Sequence, residues 1–250
     1  MKRRLAYGLL GLCVYAGFLV LQCPAAALVT LSARHWPAVT VEQVHGLARQ
    51  GSVLGLRWRD LHLETAAWEL RWPSLLRGRV ELEFALSDPT LRVTGAVAPG
   101  WDGSWHFRRL RGQLPLADLM GWLGRPAPVA GRLEMNDLAV QVDAAGFARR
   151  IQGVLRLAET RLNLARGLDL GDFAATFSTT AATISGRVQD QGGPLQVAGV
   201  LTLDPKGRYR FTGRVSLRGD NPTLQQTLNW LGQPDANGVW AIDVSGTLHV

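Results

Sequence analysis

The chain has 250 residues, 47% of them apolar, with 27 Lys and Arg against 20 Asp and Glu for a net charge of +7. Three of the positive charges are Lys2, Arg3 and Arg4; the remainder is only +4, its arginines interleaved with acids and apolar residues, which argues against the basic stripe of a nucleic-acid binder. The only cysteines, Cys13 and Cys23, exclude a disulfide framework for the body of the chain, whose stability must come from packing and sheet hydrogen bonds.

Lys2, Arg3 and Arg4 precede an uncharged run from Leu5 to Leu21, and apolar character resumes over Ala25–Leu31. About 20 apolar residues cross a bilayer, and a basic flank stays in the cytoplasm. The expectation is a cytoplasmic start at 1–4, a single transmembrane anchor over 5–31, and a body over 32–250 on the far side of the membrane. Ala25-Ala26-Ala27 also offers a signal-peptidase site after Ala27. The Leu5–Leu21 run is longer than a usual signal h-region, which favours a retained anchor. Gln22 before Cys23 argues against a lipoprotein.

After residue 50, period-two alternation dominates, the mark of half-buried strands. Val80, Leu82, Phe84 and Leu86 alternate with Arg79, Glu81, Glu83 and Ala85. Leu91 and Val93 follow, then Ile151, Gly153, Leu155 and Leu157, then Leu195 through Leu203. Tyr209, Phe211, Gly213, Val215 and Leu217 alternate with arginines and hydroxyl residues, and Trp240, Ile242, Val244, Gly246 and Leu248 close the series. Turn clusters at Ser87–Pro89, Pro99–Gly103, Asp190–Pro194 and Asp204–Gly207 separate them. The predicted fold is all-β and antiparallel, a curved sheet or a sandwich with one wet and one dry face.

Two segments break the alternation. Leu116–Leu123 reads as a short helix closed by Gly124. A second runs from Asn221, a good N-cap, through Pro222 to Leu231, closed by Gly232. The two are also alike: Arg111-Gly112, Leu116, Met120 and Trp122-Leu123-Gly124 parallel Arg218-Gly219, Leu224, Leu228 and Trp230-Leu231-Gly232. That spacing suggests a strand–helix–strand unit used twice, in related halves of about 50–145 and 146–250.

No catalytic, cofactor-binding or metal-ligating set stands out. The sequence has no nucleophile elbow, phosphate loop or dinucleotide fingerprint. His35, His45, His62, His106 and His249 lack metal-ligand spacing. Asp169 and Asp172, around Gly171, read as a turn. Nine tryptophans are many for this length. Trp58, Trp68 and Trp72 are read first as core filling and second as a partner or membrane-interface surface. Trp36-Pro37 is a candidate interfacial anchor.

Three regions carry a family resemblance. Gly51-Ser52-Val53-Leu54-Gly55 is the first. Leu70 to Arg79, with Trp72, Leu75, Leu76 and Gly78, is the second. The third joins Gly207-Arg208-Tyr209, Leu228–Gly232, Asp235–Gly238 and Ser245–Leu248. In order and spacing they resemble the N protein family of the bacterial type II secretion system. The resemblance implies a Gram-negative inner-membrane protein, single-pass with its bulk in the periplasm. It would be a non-enzymatic accessory of the machine that exports folded proteins across the outer membrane, acting by protein–protein binding. Its partners would be the inner-membrane platform or the periplasmic domains of the secretin, and it would need no cofactor. Repeated amphipathic strands behind one anchor also resemble AsmA-like proteins, whose apolar β-groove carries lipid between membranes. Val239–Val250, at the end of the chain, is expected to form an edge strand suited to pairing with a partner's sheet.

Overall fold

The structure, a computed structural model, describes residues 22–27, 39–58, 61–75, 78–122, 128–163, 167–230 and 232–247. The chain divides into two compact units, Met1–Pro89 and Thr90–Val250.

In the first unit, β1 (Val39–Thr40) and β2 (Gln43–Leu47) both pair with one edge of β3 (Gln50–Trp58). Beyond β3 lie β4 (Leu61–Leu70) and β5 (Leu82–Ser87), all antiparallel. Leu63 is nearly inaccessible. A one-turn helix, α1 (Trp72–Leu75), links β4 to β5, an element the alternation gave no sign of.

Most of the expected anchor lies outside the described residues. Of its described part, residues 22–27, Pro24 bridges to Leu47 and the Cys23 carbonyl accepts the Ala48 N–H at 2.8 Å. Ala25 is buried. Gln22 and Ala25–Ala27 are helical, and Pro24, which has no N–H to give a helical ladder, is the point at which the chain touches β2. Among the described residues no helix is long and apolar enough to cross a membrane.

Among the described residues the second unit is a nine-stranded antiparallel meander. Its strands are β6 (Arg92–Pro99), β7 (Trp105–Pro115), β8 (Val129–Val142), β9 (Ala148–Leu162), β10 (Leu168–Thr180), β11 (Thr183–Asp190), β12 (Leu195–Leu203), β13 (Arg208–Leu217) and β14 (Val239–Thr247). Each pairs with its neighbour in sequence. Helix α2 (Leu116–Trp122) joins β7 to β8, and α3 (Pro222–Asn229) joins β13 to β14. In each case a short helix joins two neighbouring antiparallel strands.

The alternation sorts residues as pairing requires. Leu201 stands opposite Phe211, and Phe211 opposite Val244; Thr202 stands opposite Arg210, and Arg210 opposite Ser245. One face is therefore apolar and the other polar. Among the described residues no second sheet covers the apolar face, so the sandwich alternative is not the arrangement found. What covers part of it is α3. Leu224 and Leu228, four apart on one side of that helix, pack with Leu195, Val215 and Trp240 into the unit's main core cluster. The Asn221 side chain accepts the Leu224 N–H at 3.1 Å, the N-cap expected from the sequence. The helix ends at Asn229, earlier than the expected Leu231. The Trp230 N–H donates to the Thr227 carbonyl at 3.2 Å, a tightened last turn that stops the α-helical ladder.

Candidate functional site

The apolar face of the second unit has an unusual floor. Glycines occupy it at Gly186, Gly199, Gly213 and Gly246, and aromatic rings lie across them. A Cβ on Gly186 would stand 2.6 Å from the Phe177 ring, one on Gly199 2.6 Å from Phe211, and one on Gly246 2.6 Å from the Tyr209 hydroxyl. The missing side chains let the rings lie down on the neighbouring strand, the cross-strand aromatic–glycine device of curved sheets. Trp68 over Gly51 repeats the device in the first unit. The result is a low, aromatic surface. Its partly exposed members include Trp105 at 48% and Val244 at 47%.

Among the register shifts in the described part of this sheet, three fall at residues with positive φ. The register slips by one residue at Arg109 in β7, Asp137 in β8 and Glu159 in β9. Each of these extra residues has positive φ: 52°, 59° and 54°. A bulge bends and further twists its strand. It also shifts the alternation, so Trp105 and Phe107 before Arg109 share the apolar face with Leu110 and Leu114 after it. The bulge residues are charged and exposed. Arg111 pairs with Asp137 at 3.2 Å and Arg132 with Glu159 at 3.3 Å, while the Glu159 N–H donates to Asp172 Oδ1 at 2.8 Å. The sequence signal was available: Arg108-Arg109 and Asn136-Asp137 place two polar residues together inside alternating strands.

Beside these bulges is a cleft of about 420 Å³. Arg92, Gln113, Glu134 and Arg156 cross four strands in direct register to line it, with Asn136 and the backbone of Gly112. The cleft offers donors at both ends and a carboxylate between them, a polar contact surface with no nucleophile–base pair.

Asp-x-x-Gly turns recur at Asp143–Gly146 and Asp204–Gly207, each closing a hairpin, and at Asp235–Gly238, which leads into β14. In each, the carboxylate accepts two backbone N–H groups at 2.8 to 3.0 Å. The glycine takes φ of 88°, 77° or 72°, the left-handed conformation that the G1-bulged hairpin needs in the first two. The Phe147 N–H holds the Asp143 carboxyl below the usual carboxylate range, with Arg149 adding to it. The Arg208 N–H and then its guanidinium do the same for Asp204. Burial works to raise Asp190, and the Val197 N–H and Arg218 overcome it, so that carboxyl is also lowered. Asp243 is lowered by hydrogen bonds from Arg210, whose own affinity for its proton is raised in return.

The residues singled out from sequence are dispersed. His106 Nε2 is 3.1 Å from Ser104 Oγ, and His45 Nε2 is 3.2 Å from Gln43 Oε1. His62 is exposed; His35 and His249 lie outside the described residues. Asp169 and Asp172 are not in a turn but within β10, where Asp169 Oδ1 accepts the Gly171 N–H at 3.1 Å and Asp172 braces the Glu159 bulge. Gly171, at φ 89° and in close contact with Gly192 and Gly193, permits that irregularity. Among the described residues no group of His, Cys, Asp and Glu is arranged to hold a metal ion. Core filling describes Trp240, which donates to the Gly232 carbonyl at 3.2 Å, and Trp68, which donates to the Ala48 carbonyl at 3.1 Å. It fails for Trp72, Trp101, Trp105 and Trp230, which are exposed, Trp101 fully. Trp36 and the side chain of Trp58 lie outside the described residues.

The family model for type II secretion system protein N matches residues 37–243. The chain is 28% identical to the type II secretion system protein N of Vibrio cholerae, over 99% of this chain and 100% of the relative. The protein of that name from Aeromonas hydrophila is 28% identical over the same shares, and that of Pectobacterium carotovorum 24% over 99% of each. No solved structure matches the chain.

Proposed function

Because the chain belongs to the type II secretion system protein N family, we propose that it is an accessory component of that machinery, anchored in the inner membrane, that acts by protein–protein binding in the periplasm. The observation that carries this reading is the family match together with a sheet whose interacting surfaces are built for contact: an aromatic floor, a polar cleft and exposed tryptophans. Exposed tryptophan is characteristic of interface anchors. The inner-membrane platform and the periplasmic domains of the secretin are the proposed partners.

One observation favours a second reading. The apolar face of the second unit is covered by α3 around Leu195, Val215 and Trp240, and among the described residues by no second sheet elsewhere. A low apolar surface of that kind suits an acyl chain, as in AsmA-like lipid carriers. A chromosomal deletion separates the two readings when folded exoproteins and outer-membrane permeability are followed in the same cultures. Exoproteins retained in the periplasm behind an intact outer membrane support the secretion reading. Normal secretion with a leaky outer membrane overturns it in favour of lipid traffic.

A further inference from the structure

β14 has an edge that nothing among the described residues pairs with, and its hydrogen-bonding parity can be derived. The Asp204 N–H donates to the Arg208 carbonyl at 2.9 Å where the β12–β13 hairpin closes, and the Arg218 N–H donates to the Pro194 carbonyl at 2.8 Å at the other end. Even-numbered residues of β13 therefore face β12, and its odd-numbered residues face β14. The register pairs Phe211 with Val244 and runs without a shift from Arg208–Thr247 to Ser216–Val239. Residues 240, 242, 244 and 246 thus spend their backbone groups on β13. Ala241, Asp243, Ser245 and Thr247 turn theirs outward. Val239 does not share this, because Asp235 takes both its N–H and its carbonyl, at 3.0 and 2.9 Å.

Sheet edges are commonly protected by Pro, Lys, a bulge or brevity. β14 has none of these over nine residues. Its one charge, Asp243, is held by two hydrogen bonds from Arg210 at 2.9 and 2.5 Å.

We propose that β14 pairs antiparallel with β14 of a second copy of this chain, about a two-fold axis at Val244. In that register Asp243 meets Ser245 and Ala241 meets Thr247, so every outward residue finds a partner and no like charges oppose. Val244, 47% exposed on the apolar face, covers its own counterpart. Centring the axis on Asp243 would instead bring two carboxylates face to face, which opposes pairing. The paired sheets would present one continuous apolar face. The inference stands on edge geometry and is independent of the export reading.

The test uses the full chain with Cys13→Ala and Cys23→Ala. Val244→Cys in that background places two thiols at a non-hydrogen-bonded position, with Cα atoms about 4.5 Å apart, within disulfide reach. With dissolved oxygen as the oxidant, a disulfide-linked dimer is expected without added cross-linker, and none from Thr212→Cys in β13. Ser245→Pro removes an outward N–H and leaves the β13 ladder whole, as edge prolines do. It should weaken the dimer at least about tenfold by sedimentation equilibrium, with an unchanged circular dichroism spectrum, while Ser245→Ala keeps wild-type affinity. A wild-type chain that stays monomeric overturns the proposal. So does a dimer indifferent to Ser245→Pro, or a Val244→Cys adduct formed only with a different protein.

Discussion

Replacing Gly186 by Ala isolates the contribution of a ring lying across a glycine. The new Cβ would stand 2.6, 3.0 and 3.1 Å from three atoms of the Phe177 ring, against an optimum of about 3.5–4.0 Å for carbon pairs. The ring must tilt off its bed by roughly 1 Å, and overpacking of this kind costs about 1–3 kcal/mol. Gly186 is not in the positive-φ region, so alanine also gains about 0.5–1 kcal/mol from the stiffer unfolded chain. The net expectation is a loss of about 1–2 kcal/mol in wild type. With Phe177→Ala already present the obstacle is gone, and Gly186→Ala becomes neutral or stabilising. Equilibrium urea unfolding of the four proteins in a double-mutant cycle should give a coupling near 2 kcal/mol. Additivity within about 0.5 kcal/mol would refute the claim that ring and glycine form one packing unit.

Other outcomes are checked in the same assay or a simple variant of it. Leu224→Ala empties a site that is 1% exposed beneath α3 and should cost about 2–5 kcal/mol in the urea midpoint. Gly112→Ala and Gly192→Ala both impose positive φ, 137° and 116°. Only the first drives its Cβ into the Arg92 carbonyl, while the second meets open space. Gly112→Ala should therefore be much the more destabilising, and equal midpoints would discredit the bulge geometry. Asp143 and Asp204 have folded pKa values below the ordinary 3.8. Their stabilisation is present above that value and lost as pH falls through the lowered folded one. Asn at either position should flatten the acid limb of a stability–pH profile below about pH 4.

The all-β, antiparallel class was legible because the polar side of each strand is written in arginines and hydroxyls: Arg208, Arg210, Thr212 and Arg214 leave no doubt about which way Phe211 turns. The N-cap of α3 was equally plain, since Asn221-Pro222 fits one position only. The division between sandwich and single sheet was not legible, because alternation reports a dry face without naming what keeps it dry. The bulges were legible only as paired polar residues, Arg108-Arg109 and Asn136-Asp137, inside alternating strands. Arg109 and Glu159 carry side chains that disfavour left-handed backbone, while Asp137 tolerates it, so at the first two positions the positive φ is imposed by the pairing of neighbouring strands. The polar cleft depends on those bulges and on a four-strand register, both properties of the assembled sheet.

The strictly sequential pairing from β6 to β14 has a consequence for how such a chain is made. Every strand after the first finds its template already laid down immediately before it, so no strand waits for a distant segment. Contacts of this kind are short-range in sequence and fast to form. A chain emerging slowly from its N-terminus would zip up strand by strand. The growing edge would always be the newest strand. A hairpin inserted or deleted anywhere along the series would lengthen or shorten the sheet without rethreading the rest.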